Sequence, residues 1–279
     1  MNPQTNKHVI VALGASAGGL QALNHFFNIV PKQSQYTFVI VQHLSPDHKS
    51  LMGELLSKQT TIPVVEVKQD SEIRKNTIYI IPPTNNLVIE DNHMKLLKKP
   101  EGKELNLPID MFFESLAKSY KENAVGVVLS GTGSDGTKGV WHIKENGGLV
   151  VAQQLEQAKF DGMPQSVIKT GLADYILPVE EMYTEISNYF STPKIYNASE
   201  QLVNANEETF NKILKLIKES SELDFNFYKK PTLIRRMSRR LQIHQLDSLD
   251  AYYDLLMQDP SEIDILYKEF LIYLFTILI

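Results

Sequence analysis

From Lys7 to about Tyr189, short β-branched runs alternate with longer stretches of helical spacing, and this alternation constrains the fold more than any other feature. His8–Leu13, Thr37–Val41, Thr77–Ile81, Ala124–Ser130 and Leu149–Ala152 are apolar runs closed by Gly, Pro or polar residues, the pattern of strands buried on both faces. Between them Gly18–Val30, Asp47–Lys58, Pro108–Lys121 and Thr137–Asn146 space their apolar residues as helices do. Leu87–Glu90 and His93–Leu97 flank Asp91-Asn92, a pair suited to a two-residue hairpin turn. Together these predict an α/β fold, a doubly wound and mostly parallel sheet with helices on both faces. In such a sheet the chemistry gathers beyond the carboxyl ends of the strands.

The pattern changes after Phe190. Ser191–Ala205 is polar, contains Pro193 and has no periodicity, which marks a linker. From Asn206 the spacing is helical throughout, giving a small all-α region with helices over Glu207–Ser220, Pro231–Leu241, Ser248–Met257 and Ser261–Phe270. Ser248 and Ser261 are placed as N-caps and Pro231 in a first turn. The expected domains are therefore 1–190, a linker over 191–205, and 206–279.

Composition narrows the function classes. With 43% hydrophobic and 22% charged residues the chain can bury a sizeable core. The absence of cysteine excludes disulfides, thiolate nucleophiles and Cys-ligated zinc, and suits a reducing compartment. A net charge of −5 argues against nucleic acid or an anionic membrane surface as partner. No basic stretch precedes a long apolar run at the N-terminus. The apolar run Phe270–Ile279 is about half the ~20 residues a membrane-spanning helix needs. A cytoplasmic protein without direct membrane insertion is expected.

Three loops could carry chemistry. Gly14-Ala15-Ser16-Ala17-Gly18-Gly19 joins the first strand to the first helix. Its G-x-S-x-G spacing suits a nucleophile elbow; a phosphate-cradling dinucleotide loop and a helix start needing only small residues are the alternatives. The dinucleotide pattern wants Gly where Ser16 stands, and an acidic end to the second strand. That strand ends instead in Gln42-His43. His43 is a candidate general base, with a hydrogen-bonded structural role as its rival; pairing with His48 across Ser45-Pro46 is not a metal-ligand spacing. Gly131-Thr132-Gly133-Ser134-Asp135-Gly136 follows the strand Ala124–Ser130, and Asp135 there is either an active-site carboxylate or a turn-capping one. Nucleophile, base and carboxylate form the set that activates a hydroxyl. Their order, Ser, His, Asp, is not that of the α/β-hydrolases.

These residues in this order resemble the catalytic domain of CheB-type protein-glutamate methylesterases, chemotaxis adaptation enzymes. The likeness extends over Gly14–Gly19, Val41-Gln42-His43, Ala124–Gly136, Ala152-Gln153 and Gly162-Met163-Pro164. It implies Ser16 as nucleophile, His43 as general base and Asp135 as the group that orients His43. Backbone amides near Ala17–Gly18 or Thr132–Gly133 would form the oxyanion hole. The implied reaction hydrolyses glutamate γ-methyl esters on cytoplasmic chemoreceptor helices, releasing methanol, and deamidates receptor glutamines. No cofactor or metal is implied. Ala17 replaces the Thr common in the family, and Leu107 the Arg before Pro108. With so little chain before His8, no receiver domain is expected ahead of it.

Residues 206–271, above all Leu223–Leu241, resemble the N-terminal helical domain of CheR-type glutamate methyltransferases, an arrangement found in CheB–CheR fusions. Arg235 and Arg239, like Arg236 and Arg240, are i,i+4 neighbours. They are expected to form a basic face that docks an acidic receptor helix, with a solvated stripe or a nucleic-acid surface as alternatives. The resemblance ends near Leu271, so a truncation or frame shift is expected there, with neither S-adenosylmethionine binding nor methyl transfer. The rival to an esterase is a non-catalytic scaffold docking receptors or kinases.

Overall fold

The computed structural model describes residues 8–42, 52–100, 105–191, 207–221 and 223–277, the last six of these for backbone only. Two compact units divide the chain, Met1–Tyr183 and Thr184–Ile279.

Among the described residues the first unit holds ten strands, five α-helices and the first turn of a sixth. Strands β1 (Ile10–Ala15), β2 (Thr37–Gln42), β3 (Val64–Glu66), β5 (Thr77–Ile80), β8 (Ala124–Val128), β9 (Leu149–Gln153) and β10 (Tyr175–Leu177) form a sheet in the order β10-β9-β8-β1-β2-β5-β3. Every pairing in it is parallel. Strands β4 (Ser71–Glu72), β6 (Asn85–Glu90) and β7 (His93–Lys98) form a separate antiparallel sheet. Its hairpin turns at Asp91 and Asn92, both with positive φ (47° and 65°), as a primed two-residue turn requires.

Helices α1 (Gly19–Ile29), α2 (Met52–Ser57), α3 (Pro108–Tyr120), α4 (Thr137–Glu145), α5 (Gly162–Lys169) and α6 (Val179–Ser191) follow in chain order. Phe26 and Phe27 of α1 meet Phe38 of β2 edge-on. Phe112 and Phe113 of α3 share another core cluster with Ile10, Ala12, Val39 and Val41. Neighbouring residues of β2, Phe38 and Val39, thus face different helices, and the strand is buried from Thr37 to Val41 and reads as a continuous apolar run. The chain winds outward from β1 through β2 in one direction and returns to β8 on β1's other side. The order therefore reverses between β1 and β8, the switch point where such sheets open a crevice.

The expected strands and the hairpin are all present. Strands β3, β4 and β10 and helices α5 and α6 are not among the elements expected from spacing. Two or three residues are too few to display a period, and α5 opens on Gly162-Met163-Pro164. Of the expected helix Asp47–Lys58, residues 47–51 lie outside the described residues.

In the second unit α7 (Glu207–Ser221), α8 (Lys230–Ile243), α9 (Leu249–Gln258) and α10 (Pro260–Ile277) surround Phe210, Ile213, Phe225, Met237, Tyr252 and Leu266. Ser248 caps α9, its side chain accepting from the Ala251 amide. Ser261 is not the cap of α10. Asp259 takes that role, its Oδ1 accepting from the Ser261 amide at 3.0 Å and from the Ser261 hydroxyl at 2.6 Å. The last helix runs on to Ile277 rather than stopping at Phe270, because no Gly, Pro or capping residue interrupts Phe270–Ile277. Among the described residues no helix is long and apolar enough to cross a membrane.

The expected basic face is not a face. Arg235 is exposed, but Arg236, Arg239 and Arg240 are 1%, 1% and 3% exposed. Arg236 and Arg239 bond Glu269 at 3.4 and 2.6 Å. Arg240 grips Glu262 with two nitrogens at 2.7 and 2.5 Å. Both glutamates belong to α10. The i,i+4 spacing of charged residues is the same for an outward stripe and an inward one, and only the carboxylates of a helix two elements on decide between them.

Candidate active site

The carboxyl ends of β1 and β8 carry two loops that are tied to each other. After β1 the chain turns through Ser16 into α1, with Gly18 left-handed at φ 73°. The Gly19 amide donates to the Ser16 carbonyl and the Ser16 amide to the Ser130 carbonyl, at 2.9 and 3.0 Å. Ser130 clamps the turn further. Its hydroxyl donates to the Ala17 carbonyl at 2.9 Å and accepts from the Phe160 amide at 3.0 Å. Buried Gln153 in turn holds the Ser130 amide at 2.8 Å. Glycine is required where these strands of chain converge. A Cβ on Gly18 would lie 2.7 Å from Ser130 Oγ, and one on Gly131 would lie 2.1 Å from Met163 Sδ and 3.0 Å from Ser16 Cβ.

Ser16 stands at an open cleft of about 480 Å³ whose wall includes Gln21, Asn24, His25, Gln42 and Lys159. Asn24 Oδ1 and Gln42 Oε1 are buried there without a hydrogen-bond partner among the described residues. His25 Nδ1 lies 2.8 Å from Glu180 Oε1. The Glu180 carboxyl is held below its ordinary range, chiefly by the Gln157 side-chain amide that it accepts from, with His25 contributing.

Asp135 is 6% exposed. Its Oδ2 accepts from the Ile109 amide at 3.1 Å and its Oδ1 from the Asp110 amide at 2.9 Å. It thus caps α3, whose positive N-terminal dipole end favours the carboxylate charge. Asp110 repays this in kind, its Oδ1 accepting from the Gly139 amide in α4 at 2.7 Å. Burial pushes the Asp110 carboxyl up, while the amides of Gly139, Gly136 and Lys138 oppose that rise.

Ser16 and Asp135 therefore sit in loops at the ends of adjacent strands, Ser16 at the cleft and Asp135 buried against α3. His43 lies outside the described residues; Gln42 before it lies on the cleft wall. Ser130, Gln153, Asn24, His25 and Asp110 were not singled out as site residues in the sequence. Gln153 was visible only as part of a resemblance, and Asp110 follows Pro108 at a helix start, where an acidic residue satisfies local amides by default.

Residues 11–186, well over half of the chain, match the family described as CheB methylesterase, and residues 208–271 match the all-alpha domain of CheR methyltransferase. A protein-glutamate methylesterase/protein-glutamine glutaminase of Trichodesmium erythraeum is 36% identical over 186 residues, covering 65% of this chain and 53% of the relative. An uncharacterized 104.1 kDa protein of Rhodobacter capsulatus is 35% identical over 247 residues, 79% of this chain and 25% of that one. This chain thus spans a quarter to about half the length of these relatives. The crystal structure of the Thermotoga maritima CheB methylesterase catalytic domain superposes with a TM-score of 0.59 at 30% identity, covering 63% of this chain and 95% of that domain.

Proposed function

Because the chain belongs to the CheB methylesterase family, we propose that it is a serine hydrolase that removes methyl groups from glutamate γ-methyl esters on the cytoplasmic helices of chemoreceptors. Receptor glutamines are the second substrate class, the amide replacing the ester. The observation that carries this reading is Ser16, set on a strand-to-helix turn at the switch point of the sheet and open to a cleft.

In this mechanism the Ser16 hydroxyl attacks the ester carbonyl while the His43 imidazole takes its proton. Negative charge gathers on the carbonyl oxygen, and backbone amides near Ala17–Gly18 or in the Thr132–Gly133 loop would be the donors to it. Ala17 has no hydroxyl, so this stabilisation comes from backbone. The imidazolium then returns the proton to the departing methoxide, and methanol leaves. Water attacks the acyl-enzyme, His43 again accepts a proton, and Ser16 is restored with a free glutamate as product. Asp135 would hold the imidazole in the useful tautomer. Its two amide bonds support that role, since a carboxylate already fixed at a helix N-terminus needs no reorganisation as charge develops. The catalytic module is taken as 1–190, joined by 191–205 to the helical module 206–279, and the protein as cytoplasmic.

The test is methanol release from a methyl-esterified receptor fragment, wild type against Ser16→Ala. Loss of release in a folded variant establishes the serine esterase. Equal background rates in both, with folding verified by circular dichroism, would leave a receptor- or kinase-docking scaffold in its place.

A further inference from the structure

Asp110 takes no part in the steps above, yet it is bonded to Asp135 and to the helix that follows it. Its amide donates to Asp135 Oδ1 at 2.9 Å, while its own Oδ1 accepts from the Gly139 amide at 2.7 Å. Asp135 precedes α4 and caps α3; Asp110 lies in the first turn of α3 and caps α4. Each helix start is thus held by a side chain from the other's. The exchange depends on close approach. A Cβ on Gly139 would lie 2.6 Å from Phe113 Cβ and 3.0 Å from Asp110 Cα, and a Cβ on Gly136, left-handed at φ 95°, would lie 3.0 Å from Ile109 Cγ2.

A carboxylate bonded to an amide in the first turn of a helix helps fix where that helix begins, and Gly139 lies in the first turn of α4, which begins two residues after Asp135. We propose that Asp110 is a positioning residue, which fixes through the Gly139 amide the start of α4 and with it the turn from which Asp135 projects. Asp135 is then presented to the general base in one orientation. The inference rests on Asp135 being the orienting carboxylate. It goes beyond that reading in assigning the orientation to a second acid on a different element.

Displacing a catalytic group by a fraction of an ångström lowers turnover without touching substrate affinity. In the methanol-release assay, Asp110→Ala is expected to reduce kcat about tenfold or more with KM within about twofold. Asp110→Asn keeps an acceptor oxygen toward Gly139 and is expected to recover most of the loss. A purely structural role would lower Tm without this split or this rescue. Wild-type kcat in folded Asp110→Ala, or an Asp110→Asn variant as slow as Asp110→Ala, overturns the proposal. Should Asp110→Ala fail to fold, Gly139→Ala strains the same link and is expected to lower kcat at unchanged KM; wild-type kcat in that folded variant is equally fatal. Asp135→Asn separates the two claims. Wild-type kcat there, with Ser16→Ala inactive, removes the role of Asp135 and with it that of Asp110, whereas a slow Asp135→Asn beside a normal Asp110→Ala removes only the positioning role.

Discussion

The candidate site and the core of the helical unit hold their carboxylates in opposite ways, although the α/β unit also contains a buried ion pair away from the site, Lys144 with Asp174. At the site the buried Asp135 and the half-buried Asp110 are satisfied by backbone: Asp135 by two amides of α3, Asp110 by the Gly139 amide of α4. In the helical unit buried charge meets buried charge, Arg236 and Arg239 on Glu269 and Arg240 on Glu262, across helices 22 to 33 residues apart in sequence. Tyr252 adds its hydroxyl to Glu262 at 2.7 Å and His244 approaches it at 3.0 Å. Amides at a helix start are fixed in place, so a carboxylate bound to them has a defined direction, which is what a site requires. A buried guanidinium–carboxylate network defines which helices meet, and costs heavily when halved.

That contrast can be broken most directly at Glu262. Glu262→Leu leaves Arg240 buried without its bidentate partner and is expected to destabilise the helical unit by about 3–5 kcal/mol. Pairing it with Arg240→Met should recover much of the loss, since an apolar replacement of a whole buried pair is often near neutral. The single tryptophan, Trp141, lies in α4 of the other unit, so its fluorescence reports the α/β unit while far-ultraviolet circular dichroism reports both. Two separated transitions are the expected outcome; coincident ones with an unchanged midpoint would show that the network contributes nothing.

Acid provides the next largest perturbation. Burial alone would raise the Glu262 carboxyl, but the hydrogen bonds from His244, Arg240 and Tyr252 and the Arg240 charge win and hold it at about 2. A carboxyl depressed from an unfolded value of 4.5 contributes stability that is complete above pH 4.5 and is lost as the pH falls to about 2, on the order of 3 kcal/mol. Helical content should therefore fall across that window, and in Glu262→Leu the fall should flatten. Unaltered acid sensitivity in the variant would locate the titration elsewhere.

On the α/β side, Gly131→Ala drives a methyl group to 2.1 Å from Met163 Sδ and 3.0 Å from Ser16 Cβ. A stability loss of about 1–3 kcal/mol is expected, with a fall in kcat larger than the change in Tm suggests, because the strain falls on the nucleophile's turn. Equal kcat in the folded variant would mean that the turn relaxes freely. The smallest effect is at Ser248→Ala, which removes the α9 cap at a cost of about 1 kcal/mol. Urea midpoints followed by circular dichroism measure it, and no shift would mean that water replaces the hydroxyl.

Much of the α/β unit was legible in residue order. Ile10–Ala15 and Ala124–Val128 read as strands because residues buried on both faces must all be apolar, and Asp91-Asn92 reads as a turn because few residues accept two positive φ angles in succession. Ser16 and Asp135 stood out because glycines surround them at strand ends. His43 stood out for a different reason, as the histidine that closes the second strand, and is the one of the three that lies outside the described residues. Asp110 was not visible, since nothing in its neighbours distinguishes an acid that caps its own helix from one that caps the next.

What the sequence determined by itself is whatever depends on near neighbours: strand runs, helical spacing, the hairpin, the Ser248 cap and the glycine turns at β1 and β8. These follow from backbone dihedral preferences and from the period with which side chains leave a strand or helix. The tertiary structure alone decided which carboxylate each buried arginine meets, that Arg236, Arg239 and Arg240 of α8 face inward while Arg235 does not, that Asp259 rather than Ser261 caps α10, and that Asp110 and Asp135 exchange helix starts. Most of those bonds join residues more than 20 positions apart. Burial and hydrogen-bond partnership are properties of pairs of elements, and a spacing rule applied to one element carries no information about the other.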